Sequence, residues 1–155
     1  MAMHDFNALT EHWHTIEDLG LIAERGSSGV FANVRHVIYH SPNGLDFGTD
    51  CVKSSDLALS ALCALIPAPN PVDEALLERL DAEAYGIAET HDHLWSVRTP
   101  KMERISRLAW RLHQPFKMTF ILSMKGKSGY VPVDIMREWI EVHSRALIER
   151  CSRDH

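Results

Sequence analysis

The chain has 155 residues, 45% of them hydrophobic, with 21 acidic against 16 basic side chains and a net charge of −5. A chain of this length buries roughly 70% of the surface it exposes when unfolded, enough for one core without disulfides or metal. No apolar run reaches the roughly 18 residues of a membrane-spanning helix, and the opening MAMHDFNALTEHW lacks the basic-then-apolar order of a secretory signal.

Phe6, Leu9, Trp13, Ile16 and Leu19 recur at helical spacing, which predicts a helix over Asp5–Leu19 ended by Gly20, within an N-terminal helical segment 1–24. ERGSSG, Glu24–Gly29, is a loop by composition. VFANVRHVIYH, Val30–His40, is rich in β-branched and aromatic residues and predicts a strand. SPNG turns the chain, and LDFG returns it as a β-hairpin over 30–48. Ser54 or Ser55 is placed to cap the next helix. The run DLALSALCALI is apolar nearly all round, with Leu57, Ala61, Ala64 and Leu65 on one side and Leu59, Leu62 and Ile66 close behind. Such a helix belongs at the centre of the core. It stops at PAPNP, because proline cannot donate the next helical bond.

Asn70 and Pro71 open a further helix with the apolar stripe Val72, Leu76, Leu77, Leu80, Ala84 and Ile87. Thr99 and Pro100 open another, with Met102, Ile105, Leu108, Ala109 and Leu112 facing inward. Pro115 breaks or kinks it, and PFKMTFILSM continues as an apolar helical segment. KGKSGYVP, Lys125–Pro132, reads as a loop. Asp134 caps or opens the last helix, with Ile135, Trp139, Ile140, His143 and Leu147 at helical spacing. The expected fold is a helix-rich α+β domain over 1–155: a small antiparallel β-hairpin or sheet packed on a central apolar helix, with a helical body over 54–155.

Cys51, Cys63 and Cys151 are widely spaced and odd in number, as reduced cytoplasmic thiols are, and Cys63 reads as a small apolar core residue. Charge is unevenly spread. Residues 71–93 carry Asp73, Glu74, Glu78, Asp81, Glu83, Glu89 and Asp92 against Arg79 alone. Residues 94–116 reverse the sign, with Arg98, Lys101, Arg104, Arg107 and Arg111 against Glu103. The acids form a candidate partner-binding face, and Lys101, Arg104, Arg107 and Arg111 a possible basic face. The plainer reading is two solvated helix faces that partly neutralise each other.

Three segments carry a resemblance: HSPNGLDFG followed by SDLALSALCAL, RLHQPFKMTFI, and GYVPVDIMREWI. In this order they resemble a bacterial domain family of uncharacterised function found on plasmids, phages and chromosomal islands. That family has an HSP-x-G turn, a glycine-rich loop, an A-x-LAL-x-L helix, an F-K segment and a closing I-x-x-W helix. The likeness spans residues 35–141. In place of the family's glycine-rich loop this chain has GTDCVKSS, Gly48–Ser55, where Asp50 opposes an anion cradle. The loop therefore reads as the start of the buried helix.

Other constellations are thinner. His91 and His93, with Glu89 and Asp92 beside them, could share a metal only on an extended segment, since residues two apart diverge on a helix. The same argument separates His12 from His14. A hairpin site of His36, His40 and Asp46 is conceivable, as is a reactive Cys51 at a helix start. No cofactor is implied, no metal set is complete, and direct nucleic-acid binding is not expected of so acidic a chain. The preferred reading is a non-enzymatic, cytoplasmic protein-binding factor. By analogy it is an anti-CRISPR-type inhibitor whose acidic face covers a basic surface of a bacterial defence complex. A homodimer is a further expectation. The alternative is a metal-dependent hydrolase or anion-binding enzyme using His91 and His93 or the Cys51–Ser55 loop.

Overall fold

The computed structural model describes residues 15–66, 70–87 and 105–154, with the backbone alone for 82–87 and 154. Three antiparallel strands and four α-helices are found among them: β1 (Gly20–Gly26), β2 (Gly29–Ala32), α1 (Val52–Leu65), α2 (Pro71–Ile87), α3 (Arg107–Phe116), β3 (Ser128–Pro132) and α4 (Val133–Asp154). The fold is α+β and helix-rich, as composition and periodicity imply.

β1 is the middle strand of the order β2-β1-β3. Its Leu21 and Ala23 alternate inward and are fully buried, as period-two patterning requires. Two expectations fail here. The segment expected to loop at Glu24–Gly29 is mostly strand, because the β1–β2 turn uses only Ser27 and Ser28, closed by Gly26 paired with Gly29. Gly29 has φ 125, a conformation glycine adopts without a Cβ penalty. The hairpin is thus β1–β2, upstream of the expected one. The lysine-rich loop expected at Lys125–Pro132 also contains a strand: β3 pairs with β1, Leu21 opposite Val131 and Ile22 opposite Tyr130. Of the N-terminal helix, only residues 15–19 are described, and they form a turn.

β2 ends at Ala32 and does not run on to His40. The Asn33 side chain replaces it as a pairing partner: its Oδ1 accepts from Ile22 N–H at 2.8 Å and its Nδ2 donates to the Gly20 carbonyl at 2.8 Å. The following residues cross to α1. Leu45 keeps one isolated bridge to Val30, all that remains of the expected returning strand.

α1 is the buried central helix that its sequence announces. Every residue from Ser54 to Leu62 is buried. Its N-cap is Cys51, without a side-chain cap bond. Ser54 and Ser55 sit in the first turn, where their hydroxyls donate to the carbonyls of Thr49 at 2.5 Å and Cys51 at 3.4 Å. Neither is the cap. Asn70 does cap α2, its Oδ1 accepting from Val72 N–H at 2.9 Å. Val72 itself is 67% exposed and leaves the buried stripe to Leu77 and its neighbours.

α3 begins at Arg107 with Ser106 as its cap, Oγ accepting from Ala109 N–H at 3.4 Å. The expected start at Thr99 and Pro100 lies outside the described residues, and Ile105 and Ser106 are not helical. Pro115 cannot donate to the carbonyl one turn back. The helix widens after it into a π-helical turn over Lys117–Ile121, with Leu122 N–H donating to the Lys117 carbonyl at 3.0 Å. α4 buries Met136, Leu147 and Cys151, and leaves Ile135 half exposed. Its Trp139 meets Phe116 edge-on at 5.3 Å. Leu21, Ala23 and Val131 of the sheet belong to the same core as Leu57, Leu59 and Leu62 of α1.

Candidate functional site

Asp56 lies within the apolar run of α1 and has no exposed surface. Its carboxylate accepts from the backbone N–H groups of Tyr39 at 3.3 Å, His40 at 2.8 Å and Ser41 at 3.0 Å. His36 Nε2 adds a contact at 3.0 Å. Near the next turn of α1, Ser60 Oγ accepts from Val37 N–H at 2.8 Å. A buried carboxylate is tolerable only when its oxygens are satisfied in this way. The result is a clasp that lays residues 36–41 across α1. It also breaks up the conceivable His36, His40 and Asp46 group: His36 faces Asp56, and Asp46 pairs with Arg25 at 2.8 Å.

The clasp brings His40 against His113 of α3, Nε2 to Nε2 at 3.0 Å. His113 is 2% exposed. Burial, the largest influence, pushes it down to about 4, helped by the neighbouring His40 and Lys117 and opposed by the Trp110 carbonyl and Asp56. The ring is therefore neutral at pH 7. Its Nδ1 stands 2.6 Å from the Trp110 carbonyl oxygen and must carry the hydrogen. That leaves Nε2 as an acceptor, taking hydrogens from His40 Nε2 and from the Gln114 amide at 3.1 Å. The Gln114 amide also donates to Ser55 Oγ at 3.3 Å. Lys117 Nζ, on a side chain 8% exposed, donates to the same hydroxyl at 3.0 Å and to Asp50 Oδ1 at 2.7 Å. A polar row thus runs from His40 to Asp50 under the start of α1.

In this row Ser55 accepts from two donors and gives its own hydrogen to the Cys51 carbonyl. A serine nucleophile needs a base in that position, whereas the Lys117 ammonium acts here as a donor. Asp50 places its carboxylate on Lys117 beside the start of α1. Cys51 Sγ is 3.5 Å from Ser54 Oγ. Cys63 packs against the core, and burial raises its thiol to about 11.

The charged faces are arranged differently from their expected solvated state. Asp81 is buried, and Arg107 and Arg111 turn inward to it, at 3.1 and 2.7 Å. They bind α2 to α3 and are not an outer basic face. Glu74 reaches from α2 to the start of α3, accepting from Ser106 Oγ at 2.9 Å and Arg107 N–H at 3.0 Å. Asp73 is half-buried, and Glu78 points to solvent. Glu78 and Arg79 line a shallow depression with Pro71, Val72, Ala75 and Leu76. The Glu83 side chain and Glu89, His91, Asp92, His93, Lys101 and Arg104 lie outside the described residues. Among the described residues no group of three or more His, Cys, Asp or Glu is placed to hold a metal.

Asp56, His113, Gln114 and Lys117 were not singled out from the sequence. Two signals were there to find: a lone acid in the apolar run SSDLALSALCAL and a lone lysine in PFKMTFI. A charge inside an otherwise apolar helix is rarely buried unless paired. No family model, no curated protein and no solved structure matches the chain.

This geometry makes three predictions. His113 takes up its proton near 6.5 when unfolded and only near 4 when folded, so its contribution to stability is complete above pH 6.5 and is lost as pH falls toward 4. The full gap corresponds to on the order of 3 kcal/mol. Urea midpoints measured at pH 7 and pH 5 should fall more for the wild type than for His113→Gln; equal falls would show that His113 does not carry this loss. Asp81→Ala should destabilise by about 1–3 kcal/mol, because it strands two arginines that are only partly hydrated. Glu78→Ala should change stability by less than about 0.5 kcal/mol.

Proposed function

We propose that the chain is a non-enzymatic protein-binding factor of a mobile genetic element, acting in the cytoplasm of a bacterial host. Its target in this reading is a defence complex of CRISPR type, and it inhibits by covering a basic surface that otherwise holds nucleic acid. The observation that carries the reading is the outer face of α2. There Val72, 67% exposed, stands with Glu78 beside a shallow depression, while the acids of the inner side are engaged within the fold. An exposed apolar residue beside an acid suits attachment to a surface rich in Lys and Arg. The net charge of −5 favours the same encounter.

Support also comes from the use of the buried and part-buried polar groups. Asp56, Asp81, Glu74 and Lys117 each hold one part of the chain to another. The contact set is accordingly narrower than the acidic segment as a whole. It centres on Asp73 and Glu78, with Glu74 and Asp81 removed from it.

The test uses the purified chain with purified, RNA-loaded CRISPR effectors. The expected result is salt-sensitive binding that blocks capture of target DNA. Charge reversal by Asp73→Lys with Glu78→Lys should weaken binding at least tenfold while leaving the urea midpoint in place. Absence of binding to any effector, or binding indifferent to the reversal, would refute the proposal.

A further inference from the structure

We propose that His40 and His113 form a two-imidazole clamp for a divalent transition-metal ion of the zinc or cobalt class, with the Gln114 amide as a third ligand and solvent completing the shell. The two Nε2 atoms converge to 3.0 Å from different elements, one on the segment held by Asp56 and one on α3. Two imidazoles on one tetrahedral zinc, with bonds of about 2.0–2.1 Å, place their nitrogens roughly 3.3–3.4 Å apart. The rings now face each other nearly head-on, with centroids 5.2 Å apart, so admitting the ion takes a separation of a few tenths of an ångström and a tilt of each ring that turns its lone pair off the Nε2–Nε2 line.

The surroundings are those that metal-binding histidines require. His113 Nδ1–H is held by the Trp110 carbonyl at 2.6 Å, which fixes the tautomer and aims the Nε2 lone pair at His40. Rotation of the Gln114 amide about its last bond exchanges nitrogen for oxygen at 3.1 Å from His113 Nε2 and supplies a neutral oxygen ligand. Trp110 walls the site, its ring 4.8 Å from His113 and stacked on His40 at 5.9 Å. Imidazole donors with one amide suit zinc, cobalt, nickel or copper better than calcium or magnesium.

The proton balance is simple. For the ion to sit on His40 Nε2, the hydrogen there must leave to solvent and one must return at Nδ1, which keeps both rings neutral with no net release. The charges nearby oppose one another: the Asp56 carboxylate favours a cation and the Lys117 ammonium disfavours it.

The test is a titration of the full chain with Co2+ at pH 7.5, read by visible ligand-field absorption and by equilibrium dialysis, with Zn2+ as competitor. The chain has 10 histidines, so the site must be told apart from surface pairs. One equivalent of Co2+, displaced by Zn2+, is expected for the wild type and for His91→Ala with His93→Ala. His40→Ala and His113→Gln should each weaken binding at least tenfold. Zn2+ should raise the melting temperature of the wild type and not that of His40→Ala. Circular dichroism checks folding, and His40→Ala, on a part-exposed side chain, decides the matter if His113→Gln does not fold. Binding that survives both substitutions, binding lost with His91 and His93, or no stoichiometric binding would overturn the proposal.

Discussion

One buried carboxylate organises this fold. Asp56 stands on the most apolar helix among the described residues, and its oxygens receive the N–H groups of three successive residues and a histidine ring. Left alone there, the charge would cost several kcal/mol. The three N–H groups in turn find an acceptor where the chain has left the sheet at Ala32. Each side therefore solves the other's problem. The crossing segment needs an acceptor at that depth, and the acid needs donors. The placement of His40 beside His113, and with it the polar row along the start of α1, follows from this exchange.

The remaining buried charges work similarly and bear on function. Lys117 is held by Asp50 and Ser55, and Asp81 by two arginines. These pairs join α1 to the π-helical turn and α2 to α3. They divide the acids of α2 into an inner set that ties the helices together and an outer set, led by Glu78, that meets solvent. A reading based on attachment depends on the outer set alone. Net charge does not distinguish the two, since both count equally in it.

The helices were legible because their signals are local. α1 follows from an uninterrupted apolar run, and α2 from Asn70 and Pro71 ahead of a periodic stripe. The sheet was less legible because its signals are shared between distant segments. β1 begins where the helical pattern of the preceding residues ends, at Leu19 and Gly20. β3 is hidden behind Lys125, Gly126 and Lys127, whose composition suggests a loop, and only pairing with β1 makes Ser128–Pro132 a strand. Asn33 is similar: nothing local marks it as the point where a side chain takes over from a strand. The inward turn of Arg107 and Arg111 was hidden for the same reason. Helical spacing shows that they share a face with each other, but the packing of α2 decides that this face is covered.

Hydrogen exchange at the amides of Tyr39, His40 and Ser41, compared between the wild type and Asp56→Ala, tests the clasp most directly. The account predicts strong protection at all three in the wild type. In the variant their exchange should speed by about 100-fold or more beyond the change at Leu59–Leu62, the scale of losing a buried charged acceptor. Amides that stay protected without the carboxylate, or that exchange freely with it present, would contradict the account.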